Sequence, residues 1–159
     1  MSDTAGWREI VASTLDWEQA HVGLDRAIAG LPVELRGRSP DRVPFSVWEE
    51  LEHIRIAQRD LLDFCRDPDY EQELAWPDDY WPDSPEPPDV QAWEECLATI
   101  RSDRQELKRW TVEAEVDLTE EIPWGDGQTY LRTVLVAVDH AAYHVGQIVL
   151  IRKLLGAWG

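Results

Sequence analysis

Apolar positions along the chain fall into four blocks at helical spacing, separated by stretches rich in proline and glycine. The last block is the clearest. Leu131 to Leu155 is a nearly unbroken apolar run of Leu, Val, Ala and Ile without proline. At that length it predicts a helix, because a strand would have ended sooner. Around its circumference Arg132, Asp139, Tyr143, Gly146 and Lys153 form a narrow polar stripe, with Val134, Val138, Ala141, Val145 and Val149 opposite. His140 and His144 lie between, in the sector of Thr133, Ala137, Ile151 and Leu155, and so point inward near the edge of the core. A helix this apolar must bury most of its surface.

Three blocks precede it. Trp7, Ile10, Val11, Thr14, Leu15, Trp17, Leu24 and Ile28 give an approximate stripe and predict a first helix over about 4–30, stopped by Gly30 and Pro32. After a connector holding Pro32, Gly37, Pro40 and Pro44, the run Ser46-Val47-Trp48-Glu49 reads as a capping box. It opens a second helix to about Cys65, with Val47, Leu51, Ile54, Leu61, Leu62 and Cys65 as its core stripe. Asp89 caps a third, about Val90 to Glu115, with Trp93, Cys96, Leu97, Ile100, Leu107 and Trp110 inside. Leu118 to Gln128 carries the turn signal Asp126-Gly127 and predicts a short extended hairpin, after which Thr129 caps the last helix. Between the second and third helices, Arg66 to Pro88 holds too many prolines for helix or central strand. Its Tyr70, Trp76, Tyr80 and Trp81 argue against disorder and predict an ordered loop, its aromatics either packed over a pocket mouth or plugging one end of the core. The fold class is therefore all-α, four long helices with a long Pro/Trp-rich loop between helices 2 and 3.

Composition narrows the partners. A chain of 159 residues predicts a single domain, 1–159. That size buries roughly 70% of the unfolded surface. The net charge of -17 argues against nucleic acid and anionic membrane surfaces, which need basic patches. The Leu131–Leu155 run carries Arg132, Asp139, two histidines, Arg152 and Lys153, and so is not expected to span a membrane. The start lacks the basic residues and apolar core of a signal peptide. Only Cys65 and Cys96 are present, which suits a reduced, cytoplasmic protein with two structural thiols.

The chemistry sits on histidine. His140 and His144 are four apart, so on a helix their Cβ atoms are roughly 6 Å from each other on one face. Such a pair can grip one metal ion; alternatively each is a core histidine satisfied by a hydrogen bond. His53 lies at the border of the second helix's core stripe, with Glu49 and Glu50 one turn earlier. It is a third ligand whose other nitrogen a carboxylate holds, or a border histidine paired with a glutamate. His21, alone in the first block, is expected to be inert. No Ser-His-Asp order, glycine-rich phosphate loop or Cys-X-X-Cys pair competes.

A histidine on the second helix and a pair on the fourth resembles the DinB-like family of metal-binding four-helix bundles. The residues that carry the resemblance are Trp48-Glu49-Glu50-Leu51-Glu52-His53-Ile54 and Asp139-His140-Ala141-Ala142-Tyr143-His144-Val145-Gly146-Gln147-Ile148, followed by Arg152 and Gly156. The family's C-terminal signature has histidine, three residues, histidine, then a basic residue, glycine and glutamine. Val145 stands here in place of the basic residue. The resemblance implies a divalent metal, zinc or nickel, on His53, His140 and His144, with Glu49, Glu50 and Gln147 as candidates for supporting the ligands. It also implies a homodimer. Some relatives are transferases or isomerases dependent on glutathione, mycothiol or bacillithiol.

Two function classes follow. One is a metal enzyme, foremost a thiol S-transferase acting on a small electrophile, with metal-dependent hydrolysis behind it. Three protein ligands leave positions open, the layout of catalytic zinc, where a bound thiol or water loses its proton near neutral pH. The other is a non-catalytic metal-binding or interaction protein. A pocket beside the histidines with basic groups for an anionic thiol favours the first. Arg132, Arg152 and Lys153 are the nearest basic candidates in sequence, and they sit on the other stripe.

Overall fold

Side-chain caps start the three long helices where the sequence places them. In the computed structural model, which describes residues 4–16, 18 and 20–159, the helices are α1 (Thr4–Thr14), α2 (Leu24–Ile28), α3 (Val47–Arg66), α4 (Val90–Glu113) and α5 (Tyr130–Leu154). Ser46 and Glu49 cap α3 reciprocally: the Ser46 hydroxyl accepts from the Glu49 N–H at 3.2 Å, and the Glu49 carboxylate accepts from the Ser46 N–H at 2.7 Å. Asp89 caps α4 by accepting from the Ala92 N–H at 2.7 Å, and Thr129 caps α5 by accepting from the Arg132 N–H at 3.2 Å. There is no strand among the described residues, and the predicted hairpin is one antiparallel bridge between Glu121 and Thr129.

The helix α3 packs against both α4 and α5, α1 packs on α4, and α2 packs on α5. The main core joins Leu51 and Ile54 of α3, Trp93, Leu97 and Ile100 of α4, Val145, Ile148 and Ile151 of α5, and Leu24 and Ala27 of α2. Each buried aliphatic side chain of this kind contributes about 1.5–3 kcal/mol. By length and composition α5 could cross a membrane, with a mean hydropathy of 1.5 over its most apolar window. In the structure it packs along α3, and Asp139 interrupts its outer face.

The first helix departs from expectation. The helix α1 ends at Thr14, and the next helix among the described residues is Leu24–Ile28. The Ser13 and Thr14 hydroxyls donate back to the carbonyls of Ile10 and Val11 at 2.7 and 2.6 Å, and tightened turns follow at Leu15 and Asp16. Side chains that bond the preceding turn compete with the helix ladder. Asp16 is then drawn to Arg104 and Lys108 of α4, and Gly23 enters α2 in extended geometry. Ile10, read as part of the apolar stripe, is 61% exposed. Trp17, also read into that stripe, lies outside the described residues.

The connector from Asp67 to Asp89 contains a single helical turn at Asp78–Tyr80 and a cis Trp76–Pro77 bond. Both Tyr70 and Tyr80 donate their hydroxyls to Asp60 of α3, at 2.7 Å to separate carboxylate oxygens. Tyr80 is buried, and the connector lies against α3 at the level of His53.

Candidate metal centre

Three histidines from two helices meet at one point. His53 comes from α3, and His140 and His144 from successive turns of α5; one nitrogen from each lies within 4.8 Å of the others. His53 and His144 are buried and His140 is partly exposed. The fourth histidine, His21, is exposed in the irregular segment before α2, where its Nδ1 meets the Val22 carbonyl at 2.8 Å.

Hydrogen bonds aim two of the rings. His53 donates from Nδ1 to the carbonyl of Tyr80 at 2.8 Å. A carbonyl can only accept, so the proton is on Nδ1 and Nε2 carries a free lone pair. His144 donates from Nδ1 to the Glu50 carboxylate at 2.6 Å, across from α5 to α3. Its Nε2 is likewise left for a ligand. The Nε2 atoms of His140 and His53 are 2.9 Å apart. Because His53 commits its proton to Tyr80, the proton between these two belongs to His140. A metal ion would have to replace that proton, after which Nδ1 of His140 is the only ring nitrogen left to carry one.

Burial, with help from the neighbouring imidazoles of His144 and His53, pushes His140 down from 6.5 to about 3. Burial also lowers His53, reinforced by His144 and opposed by the Tyr80 hydrogen bond. Both are therefore neutral at pH 7, the state a metal ligand needs. Three imidazole nitrogens, two of the rings held from behind, fit a borderline divalent ion such as zinc or nickel. Such an ion would be held by His53, His140 and His144, with His53 braced by the Tyr80 carbonyl and His144 by Glu50.

Aromatic rings wall the site. Trp81 stacks on His53 with centroids 3.9 Å apart and planes within 3°, and Phe45 stacks on Trp81 at 4.0 Å. Trp76 is 6.1 Å from His53 and Tyr143 stands edge-on to His144 at 4.9 Å. Both are largely solvent-exposed, at 64% and 63%.

The supporting residues differ from the sequence reading in detail. Glu50 holds His144 and not His53. Glu49 is occupied by the α3 cap. Gln147 is half-buried and makes no side-chain hydrogen bond among the described residues. The acceptor for His53 is a backbone carbonyl, which leaves no mark in a sequence; the aromatic pair Tyr80-Trp81 in the proline-rich loop was the nearest cue. Of the basic candidates, Arg152 is buried and structural, donating to the carbonyls of Ala27 and Ala157 at 2.6 and 2.7 Å and lying over Trp158. Arg132 and Lys153 are exposed, two or more turns from the histidines. A cavity of about 310 Å³ opens between the α1–α2 segment, α3, α4 and α5, but Val138, Ala141 and Val145 line it and the three histidines do not.

An all-helical protein with a three-histidine cluster spanning two of its long helices is the class these observations define. The chain belongs to the DinB superfamily, whose family model matches residues 16–148 and so includes all three histidines. No curated protein and no solved structure compared with the chain matches it. Cluster and family together are consistent with divalent-metal binding.

Proposed function

We propose that the protein binds one divalent transition metal, zinc or nickel, on the Nε2 atoms of His53, His140 and His144. The observation that carries this reading is the orientation of the rings. His53 and His144 each have Nδ1 engaged by a fixed acceptor, leaving Nε2 aimed at a common point with His140. Such outer acceptors are the usual companions of ligating histidines. The test is metal content after chelator treatment and reloading. One zinc or nickel per chain, lost in His140→Ala and His144→Ala, supports the reading; a wild-type protein that takes up neither metal removes it.

The finer reading is a thiol S-transferase acting on small electrophiles. When bound, the metal would supply a Lewis acid that lowers the pKa of a coordinated thiol or water. The protein's own sulfur is not available as nucleophile: burial pushes Cys65 up to about 12, and burial together with a hydrogen bond to Glu52 raises Cys96 as well. The sulfur would come from a small thiol that gives its proton to solvent, and its bond to the electrophilic carbon would form as the leaving group departs with its electron pair. Trp76 offers an apolar face to that electrophile. With Arg132 and Lys153 distant, Arg55 paired to Glu52 at 2.9 Å and the cavity of about 310 Å³ not lined by the three histidines, the surroundings of the site favour non-catalytic metal binding over this finer reading. Turnover of a reactive electrophile by the metal-loaded protein, with and without glutathione, mycothiol or bacillithiol, decides the matter. Rates that do not change with any thiol sink the transferase reading in favour of hydrolysis or plain metal binding.

A further inference from the structure

Asp60 lies two turns beyond His53 on α3, outside the histidine cluster. Its two carboxylate oxygens accept from the hydroxyls of Tyr70 and Tyr80, both at 2.7 Å. The two tyrosines are ten residues apart in the connector, so a single carboxylate ties both of its limbs to α3. Gln72 adds a bond to the Tyr80 hydroxyl at 3.1 Å. The Tyr80 ring is 4% exposed, so its position is set by packing as well as by this bond. Tyr80 faces the site with its other end: its backbone carbonyl accepts from His53 Nδ1, and the next residue, Trp81, covers the His53 ring.

We propose that Asp60 is a positioning residue for the metal centre, acting through Tyr80 to hold the His53 imidazole with its proton on Nδ1 and its Nε2 free. The inference rests on the metal-binding reading for its consequence but not for its geometry. A carboxylate accepting two short hydroxyl bonds is an anchor of the charge-assisted kind, about twice as strong as a neutral pair. Asp79 N–H to the Ala75 carbonyl and Ala75 N–H to the Asp79 carboxylate run within the connector, while on the far side of Tyr80 the Ser46 hydroxyl at the start of α3 donates to the Pro85 carbonyl at 2.6 Å, so Asp60 fastens the limb that leads into Tyr80 and Ser46 the limb that leaves it. Loss of the Asp60–Tyr80 bond therefore leaves the acceptor that defines the His53 tautomer held by packing and by the chain beyond it, and loosens its aim. Loss of the Asp60–Tyr70 bond frees the far limb and leaves that acceptor in place.

The test compares Tyr80→Phe, Asp60→Ala and Tyr70→Phe. Zinc affinity is measured by competition with a chromophoric chelator. Tyr80→Phe and Asp60→Ala are expected to bind zinc about five-fold more weakly, less than the roughly ten-fold or more that follows loss of a ligand's direct partner because both keep the Tyr80 carbonyl, and Tyr70→Phe to stay within about two-fold of wild type. The second readout uses the metal-free protein at pH 8: nitrogen-15 NMR of the imidazoles should show a slowly exchanging Nδ1–H on His53 in wild type and Tyr70→Phe. That signal should be lost in Tyr80→Phe and Asp60→Ala, while thermal melts confirm that each variant is folded. Wild-type affinity together with an intact His53 Nδ1–H in Tyr80→Phe would overturn the proposal. So would equal losses in Tyr70→Phe and Tyr80→Phe, which would mean that Asp60 merely keeps the connector folded. If the wild-type protein binds no zinc, the metal-binding reading fails, and the NMR comparison still decides whether Asp60 and Tyr80 set the His53 ring.

Discussion

His144 and Glu50 meet at 2.6 Å although 94 residues separate them, and each is almost fully buried, on facing turns of α5 and α3. A buried carboxylate at the core's edge is costly unless it is paired and hydrogen-bonded. The pair thus links the packing of α3 against α5 to the aim of a metal-directed nitrogen. Removing the carboxylate should harm both. Glu50→Ala leaves a buried imidazole N–H without an acceptor, which costs about 1–3 kcal/mol, and should lower zinc affinity by roughly ten- to a hundred-fold. Glu50→Gln keeps an acceptor and should fall between. Urea unfolding of the metal-free variants together with chelator competition checks both numbers, and an unaltered affinity in Glu50→Ala would detach the carboxylate from the site.

The three histidines should separate metal binding from stability. His53 is 2% exposed, stacked on Trp81 and bonded to Tyr80, whereas His140 is partly exposed and among the described residues hydrogen-bonds through its ring to His53 alone. His53→Ala and His140→Ala should both abolish tight zinc binding. Only His53→Ala should also destabilise the metal-free fold markedly, by about 2–4 kcal/mol, since it opens a cavity and orphans a buried carbonyl. His140→Ala should unfold close to wild type, because the bundle's stability lies in its apolar stripes. Equal unfolding midpoints for the two variants would contradict this division.

These contrasts mark what the sequence exposes and what it hides. The helix starts at Ser46, Asp89 and Thr129 and the inward turn of His140 and His144 were readable, because capping and periodicity are local properties. His53 could be proposed because its helix phase placed it at the border of an apolar stripe. Its partner could not. Glu50 shares α3 with His53 and seemed the natural neighbour, but the distance that matters runs between helices, to His144. The break after Thr14 was hidden by an apolar stripe that continued past two hydroxyl side chains bonded back to the helix. The role of Tyr80 was invisible for a different reason, because its contact with His53 is made by a backbone atom.

The outer face of α5 leads to a prediction about assembly. Leu135, Leu150 and Leu154 are 46%, 46% and 56% exposed, and Tyr143 stands among them at 63%. With Arg132, Asp139 and Gly146 they fall along one side of the helix at three- and four-residue spacing. We expect two copies to pair through this side in a two-fold arrangement that buries at least about 1,000 Å² in total. Light scattering at micromolar concentration should give twice the 18.3 kDa chain mass, and Leu150→Glu should return the protein to monomer. A wild-type protein that scatters as a monomer would remove the pairing.

Acid should destabilise the metal-free protein through His140, and the sign follows from its surroundings. Burial first, and then the two neighbouring imidazoles, lower the folded-state value to about 3 from 6.5. Between those values the unfolded chain takes up a proton at this position that the folded chain refuses, so folding stability must fall as pH drops. The contribution is fully present above about pH 6.5 and disappears progressively toward pH 3, with a slope of at most about 1.4 kcal/mol per pH unit from this one group. His53, lowered for the same leading reason, adds in the same direction. Carboxylates also titrate across this window, so the comparison that isolates the effect is His140→Gln. Without a proton to refuse, that variant should lose stability less steeply between pH 6.5 and 5 in chelator-containing buffer. Parallel stability curves for wild type and His140→Gln over that range would show that His140 accepts its proton in the folded state as readily as in the unfolded one.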